Sequence, residues 1–263
     1  MNLDTLSVDL IQNKLRTKFI GQEIKYFEEI GSTNDIAKEL ARKGASEGLL
    51  VIAERQIGGR GRRGRSWHSP SGGIWLSLIL RPKLVPQEVP KLTFVAAIAV
   101  ASVIRSLGLN AEIKWPNDIL IDCKKKICGI LCETEVNLGY VVVGIGVNAN
   151  FDKDYLPEEL QETATTLKSE LNKKISRNHF VAHLLNEFED SYLTFIEKGF
   201  SPILDVWKEF SCILGENVLV YQDDTKFFGK AIDVDQSGAL ILKLKNGSTT
   251  KIFSGDVSIR RQK

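Results

Sequence analysis

The stretch Gly58-Gly59-Arg60-Gly61-Arg62-Arg63-Gly64-Arg65-Ser66-Trp67 holds four arginines and four glycines in ten residues, directly after an apolar run. Glycine lets the backbone come close to a ligand and takes positive φ without penalty. Arginine grips a carboxylate or phosphate through two parallel N–H···O bonds. A loop of this composition packs poorly and serves well as an anion site. It fits a solvated basic loop or an arginine–glycine nucleic-acid patch equally well, and spacing alone does not separate these readings.

Three further segments carry candidate chemistry. In Lys114-Trp115-Pro116-Asn117-Asp118 the proline ends a strand in a fixed turn, so Asn117 and Asp118 sit where a ligand or an ammonium group can meet them. Asx residues after proline are also ordinary turn formers. In Lys124-Lys125-Lys126-Ile127-Cys128-Gly129-Ile130-Leu131 lysines lead into a buried strand; such lysines are usually solvated, but one can point along the sheet into a pocket. In Gly144-Ile145-Gly146-Val147-Asn148 glycines interrupt a strong strand, which marks a bulge or a close approach of backbone. It is not a dinucleotide fingerprint, because the third glycine and the following helix are missing.

The elements that must position these groups follow from periodicity. Asn34 to Arg42 is an apolar-striped helix through Ile36, Ala37, Leu40 and Ala41, capped by Ser32 or Thr33 and stopped by Gly44. Residues 1–31 can hold one helix and one strand. Leu49–Glu54 and Ile74–Leu80 read as strands on either side of the Gly/Arg loop, and Leu92–Leu107 as a buried helix. Ile113–Trp115, Ile119–Ile121, Ile127–Glu135 and Tyr140–Val147 follow as strands, with turns at Lys124-Lys125 and Asn137-Leu138-Gly139. Ser176 caps a helix to Lys198, with Phe180, Leu184, Phe188 and Phe195 or Ile196 inward, and Ser201-Pro202 opens another. After Gly215 come five short strands without a helix, the texture of a small barrel.

Composition narrows the class. The 263 residues, 43% hydrophobic and 26% charged, match an ordinary globular chain, and a net charge of +2 argues against coating nucleic acid. The longest apolar run, Leu92–Ile104, is too short to span a bilayer, and the N-terminus lacks the pattern of a signal peptide. A cytoplasmic location without membrane attachment is expected. The four cysteines read as thiols. Cys128 and Cys132 share a face with Ile130, and with no histidine nearby they are core residues rather than metal ligands.

Taken together and in this order, the segments resemble the biotin protein ligases, from about Ile24 to Arg260. Ser32-Thr33-Asn34 looks like the family's biotin-contacting motif, and Gln56 with Gly59 to Trp67 like its adenylation loop. Lys114 to Asp118 and Lys126 to Leu131 match its central signature. Gly144 to Asn148 matches the strand whose asparagine meets the nucleotide, and Gly255-Asp256-Val257-Ser258-Ile259-Arg260 its closing motif.

The resemblance implies an α+β fold: a mixed sheet flanked by helices, related to class II aminoacyl-tRNA synthetases, in residues 1–214, with an SH3-like β-barrel in 215–263. It implies formation of biotinyl-5′-AMP from biotin and ATP, with Mg²⁺ on the polyphosphate and no metal site on the protein. Biotin then passes to a lysine of a biotin carboxyl carrier protein. Arg62, Lys126 and Asp118 are the implied catalytic residues, Asp118 acting in the transfer step. Biotin contacts fall to Ser32, Thr33, Asn34, Gln56, Arg60, Gly61, Arg62 and Lys126. Nucleotide contacts fall to Arg62, Arg65, Trp67, Asn117, Lys126, Asn148 and Arg260. Only 31 residues precede Ser32, too few for a winged helix–turn–helix, so a ligase without a repressor arm and without DNA as partner is expected. A homodimer is left open. The rival is a lipoate or octanoate ligase or transferase of the same superfold, against which the full Gly-Arg-Gly-Arg-Arg-Gly loop speaks.

Overall fold

The computed structural model describes residues 4–135, 139–222 and 225–259. Seven strands make the main sheet: β1 (Ile24–Ile30), β2 (Leu50–Gln56), β3 (Ile74–Leu80), β4 (Ala111–Lys114), β5 (Asp118–Ile121), β6 (Lys125–Glu135) and β7 (Tyr140–Val147). Their order is β1-β2-β3-β7-β6-β5-β4, with β1 and β2 parallel and every other pair antiparallel, so the sheet is mixed.

Both faces of this sheet are covered, which explains why all seven residues of β3 are buried where simple alternation would leave one face wet. Helix α2 (Thr33–Arg42) lays Ala37 and Ala41 on Val51, Ile79 and Val142. The opposite face, with Leu50, Ile52, Leu78 and Val143, joins the core built by α3 (Leu92–Ser106), α6 (Arg177–Lys198) and α7 (Ser201–Phe210). Helix α3 is apolar nearly all round because it packs on the sheet and against both α6 and α7. With the 3-10 turn before it, Pro86–Ser106 is long and apolar enough to cross a membrane by length and composition, but in the fold it is this core helix.

Short helices α1 (Val8–Gln12), α4 (Glu158–Gln161) and α5 (Leu167–Leu171) complete this part, the last two unmarked by any apolar period. Ser176 caps α6 by accepting from the His179 N–H, and Gly199 ends it at φ 79°. Phe195 faces inward there and Ile196 is exposed. Ser32 occupies the cap position of α2 but makes no side-chain capping bond. The β5–β6 turn spans Asp122, Cys123 and Lys124, the first two at φ 50° and 51°, so of the expected Lys124-Lys125 turn Lys124 lies in it and Lys125 already opens β6. The left-handed backbone falls on the first two positions of this turn, and aspartate tolerates positive φ better than lysine. Of the expected Asn137-Leu138-Gly139 turn, Asn137 and Leu138 lie outside the described residues.

A second sheet holds β8 (Asn217–Gln222), β9 (Thr225–Val234), β10 (Leu240–Leu244), β11 (Thr249–Ile252) and β12 (Asp256–Ile259), all antiparallel. Its order is β11-β10-β9-β8-β12, so the five strands expected after Gly215 form one sheet, with β11 and β12 at its ends among the described residues. Val218, Val220, Leu240 and Leu242 belong to the same apolar core as α3, and the Trp115 indole donates to the Gly238 carbonyl at 3.0 Å.

A buried ion network ties the N-terminal segment to the sheet. Arg177, 2% exposed, donates to Glu54 Oε1 at 2.9 Å and Oε2 at 3.0 Å, to Asp4 Oδ1 at 2.8 Å and to the Gly73 carbonyl at 2.9 Å. Arg177→Ala should cost about 3–5 kcal/mol, because it strands two largely buried carboxylates without their cation. Urea unfolding reads this as a lowered midpoint; a midpoint unchanged from wild type would show that the network adds nothing.

Candidate functional site

A cavity of about 260 Å³ opens on the face of the sheet that α2 borders, under the Gly/Arg loop. Ser32, Thr33, Asn34, Gln56, Arg60, Gly61, Arg62, Arg65, Trp67, Asn117, Asp118, Lys126 and Asn148 all line it. Thus all but one of the residues singled out in the sequence meet in one place; Arg260 lies outside the described residues. A second recess of about 740 Å³ adjoins at Gln56 and His68, but its lysine Lys168 is already paired with Asp152 at 2.6 Å. The convergence of charge is in the first.

One end of the cavity is electrostatic. Asp118 opens β5 directly opposite Lys114 of β4, and the register shift between Ile119 and Leu120 brings Lys126 of β6 to the same carboxylate. Lys126 Nζ lies 2.7 Å from Asp118 Oδ1 and Lys114 Nζ 3.3 Å from Oδ2. Burial pushes the Asp118 carboxyl up, but the two ammonium groups outweigh it and hold the pKa below its ordinary 3.8. Arg62 donates to Asn117 Oδ1 at 3.0 Å and reaches the Gly255 carbonyl at 3.5 Å. Burial lowers its pKa, the carboxylates of Asp256 and Asp118 opposing, and a guanidinium remains cationic regardless. Asn117 itself is held by its Nδ2 donating to the Ile130 carbonyl at 2.9 Å.

The loop arginines do not hang free. Arg65 is paired with Asp256 at the start of β12, with Arg63 3.8 Å from the same carboxylate, and Arg60 is paired with Asp35 of α2. The loop therefore reaches the second sheet on one side and α2 on the other. Asp256 lies in the closing segment Gly255–Arg260 and Asp35 just after Ser32-Thr33-Asn34, but neither takes a role from sequence alone, and the docked loop shows what each pairs with.

The other end is polar and buried. Thr33 donates its N–H and its hydroxyl to Gln56 Oε1, at 2.7 and 3.0 Å. Asn34 donates to Glu133 Oε2 at 2.8 Å and to the Leu131 carbonyl at 3.3 Å. Ser77 Oγ, fully buried in β3, sits 2.7 Å from Thr33 Oγ1 and 2.6 Å from Asn34 Oδ1. A serine in the apolar run Ile74–Leu80 was the available signal for this contact, and periodicity passes over it.

The glycines of β6 and β7 make room for these groups. A Cβ on Gly144 would stand 2.1 Å from Asn34 Oδ1, and one on Gly146 2.5 Å from Trp67 Nε1. Trp67 lies against Gly146 and Gly129, edge-on to Trp75, with Lys126 Nζ 4.9 Å from its ring centroid. Its indole N–H is buried without a partner. Close approach, not a bulge, is the reason for Gly144 and Gly146. Asn148 follows them, its Nδ2 donating to the Thr165 carbonyl at 2.9 Å.

The sequence profile of the biotin/lipoate A/B protein ligase family matches residues 26–148, and that of the biotin protein ligase C-terminal domain matches 213–260. The bifunctional ligase/repressor of Bacillus subtilis is 40% identical over 259 residues, 97% of this chain and 79% of that protein. The chain belongs to the biotin protein ligase family. A biotin–[acetyl-CoA-carboxylase] ligase of Paracoccus denitrificans is 34% identical over 81% of this chain and 90% of its own length. The biotin protein ligase of Aquifex aeolicus, solved with biotin and ATP, superposes with a TM-score of 0.80 at 29% identity, covering 92% of this chain and 100% of that one.

Two outcomes follow for this family member. Gly146→Ala should displace the Trp67 ring toward solvent. The other three tryptophans, Trp75, Trp115 and Trp207, are at most 1% exposed, so a red shift of emission in a folded variant reports Trp67, and unchanged emission would contradict the contact. Because Asp118 titrates below 3.8 in the fold, its charge stabilises above that value and the contribution is lost as pH falls through the lower one. Asp118→Asn should therefore flatten the acid limb of the stability–pH profile in that window; an identical limb would show that the carboxylate titrates normally.

Proposed function

We propose that the chain is an ATP-dependent biotin protein ligase that forms biotinyl-5′-AMP and passes the biotinyl group to a lysine of a biotin carboxyl carrier domain. The observation that carries this is a single cavity with fixed cations, Arg62 and Lys126, at one end and the buried Thr33–Gln56–Asn34 floor at the other.

In the first step a carboxylate oxygen of biotin attacks the α-phosphorus of ATP and pyrophosphate leaves. Two anions must meet, so the catalyst is position and preset positive charge. Arg62, oriented by Asn117 and the Gly255 carbonyl, and Lys126, oriented by Asp118, supply that charge. Arg65, Trp67, Asn117, Asn148 and Arg260 serve the nucleotide side. No cluster of His, Cys, Asp or Glu among the described residues could hold a metal ion. Mg²⁺ would come with the nucleotide as MgATP and offset charge on the polyphosphate.

In the second step the carrier lysine attacks the acyl carbon and AMP departs. Asp118 attracts the ammonium group and stabilises positive charge on the attacking nitrogen. A carboxylate with a depressed pKa is a weak base, so its part is electrostatic and the proton passes on to solvent. The segment 215–263, which holds Asp256 against Arg65, assists by keeping the loop over the cavity and excluding water from the mixed anhydride.

The floor also favours biotin over the rival. A dithiolane ring or an alkyl chain would leave Thr33 Oγ1 and Asn34 Oδ1 to share the one proton of Ser77, whereas a cyclic urea brings N–H donors to them. With biotin and MgATP, a carrier domain should gain one biotinyl group on a single lysine. A carrier left unmodified by biotin yet labelled with lipoate or octanoate would move the chain to the rival chemistry. Lys126→Ala should slow adenylate formation roughly ten- to hundredfold, as loss of a charged hydrogen bond implies. Lys124→Ala and Lys125→Ala should leave it near wild type; equal, mild effects of all three would make Lys126 an ordinary hairpin lysine.

A further inference from the structure

The Gly/Arg loop leaves the sheet at the end of β2 and returns through Trp67 and Ser69, and its two arms are pinned together. Gln56 N donates to the Ser69 carbonyl at 3.0 Å and Trp67 N to the Gly59 carbonyl at 2.9 Å. Ser69 is 3% exposed at this junction, and a Cβ on Gly59 would come within 2.6 Å of its Oγ, so the two arms pack closely there. Its hydroxyl lies 3.1 Å from the Trp67 carbonyl and 2.9 Å from Gln56 Nε2.

Those two contacts fix every donor beyond them. A carbonyl oxygen only accepts, so Ser69 gives its one proton to Trp67. Its oxygen is then left to accept, and the group it accepts from must be the amide nitrogen of Gln56. The Gln56 carboxamide is thereby held with Oε1 toward Thr33, where it takes both the backbone N–H and the hydroxyl proton. With its proton committed, Thr33 Oγ1 is an acceptor. Asn34 Oδ1 is an acceptor too, because its Nδ2 is turned to Glu133 and the Leu131 carbonyl. Ser77 lies within reach of both oxygens but has one proton for the two. One end of the cavity therefore asks for N–H donors.

We infer that Ser69, which does not line the cavity, is a positioning residue: it sets the orientation of the Gln56 carboxamide, and through it makes the ring end of the cavity an acceptor surface selective for a ligand head that donates N–H groups. The same hydroxyl fastens the returning arm of the loop to the residue that reads the ring. This rests on the reading of the cavity as a biotin site, and deepens it by naming what enforces the preference for a cyclic urea over a head group without donors.

The experiment is calorimetric titration of biotin, and separately of lipoate, into wild type, Ser69→Ala, Ser69→Thr and Gln56→Glu. Wild type should bind biotin well and lipoate poorly. Ser69→Ala should weaken biotin roughly ten- to hundredfold, the loss expected when a buried donor is left unsatisfied, and leave lipoate unchanged, so the selectivity ratio collapses. Ser69→Thr keeps the hydroxyl and should restore the ratio. Gln56→Glu cannot donate to Ser69, so adding Ser69→Ala to it should cost little more, a coupling that a double-mutant cycle reads directly. Additive effects, equal impairment by alanine and threonine, or parallel loss of both ligands would overturn the inference and leave the biotin reading standing. If Ser69→Ala does not fold, the Ser69→Thr and Gln56→Glu ratios decide it. Failure of wild type to bind biotin would instead overturn the reading beneath it.

Discussion

Two negatively charged substrates can share a cleft only if fixed cations wait for them, and cations crowded together repel unless an anion holds them. Asp118 is that anion. It lies between Lys114 and Lys126, and its depressed pKa measures how strongly they hold its charge. The geometry comes from three short antiparallel strands and a bulge: Lys114 faces Asp118 across β4–β5, and the register shift turns Lys126 toward the same carboxylate. Were the pairing regular, Lys126 would stand opposite Ile121 and point to the other face of the sheet. The distortion is thus part of the site, as bulges beside active sites commonly are.

The second constraint is steric. For Asn34 and Trp67 to lie on the sheet, the strands beneath must have no side chains, and Gly144, Gly146 and Gly129 meet that need. The sheet gives up packing at these points and gains a floor on which a head group and a nucleotide can rest. The arginine loop above is held from both sides, by Asp35 on α2 and by Asp256 on β12, so the second sheet takes part in the architecture of the cavity although its strands do not line it beyond Asp256.

Much of this was legible in the sequence, and the gaps have physical causes. Helix α2, helix α3 and strand β7 were readable from apolar period and from Gly44 as a stop. The site residues were readable as a set because their segments, in this order, resemble those of the biotin protein ligases, and the described ones line one cavity. What escaped were partners brought in from afar. Ser77 looks like a lapse in an apolar strand until it meets Thr33 and Asn34; Asp256 is one residue of the closing segment Gly255–Arg260 until it meets Arg65; Ser69 is one of several serines near a loop. The lysine turn was placed late because charge was read as exposure, whereas left-handed backbone at Asp122 and Cys123 starts the reversal that Lys124 completes. Five short strands at the end were read as a small barrel; they pair as one five-stranded antiparallel sheet, in which the last strand returns beside the first, a placement that strand spacing does not carry.

The account stands or falls on chemistry at the cationic end of the cavity before any carrier arrives. The direct measurement is exchange of labelled pyrophosphate into ATP by the purified, folded chain, with and without biotin and with no carrier present. The account predicts exchange that depends on biotin, because the carboxylate alone completes the first step. Exchange that is absent, or that proceeds equally without biotin, would contradict it.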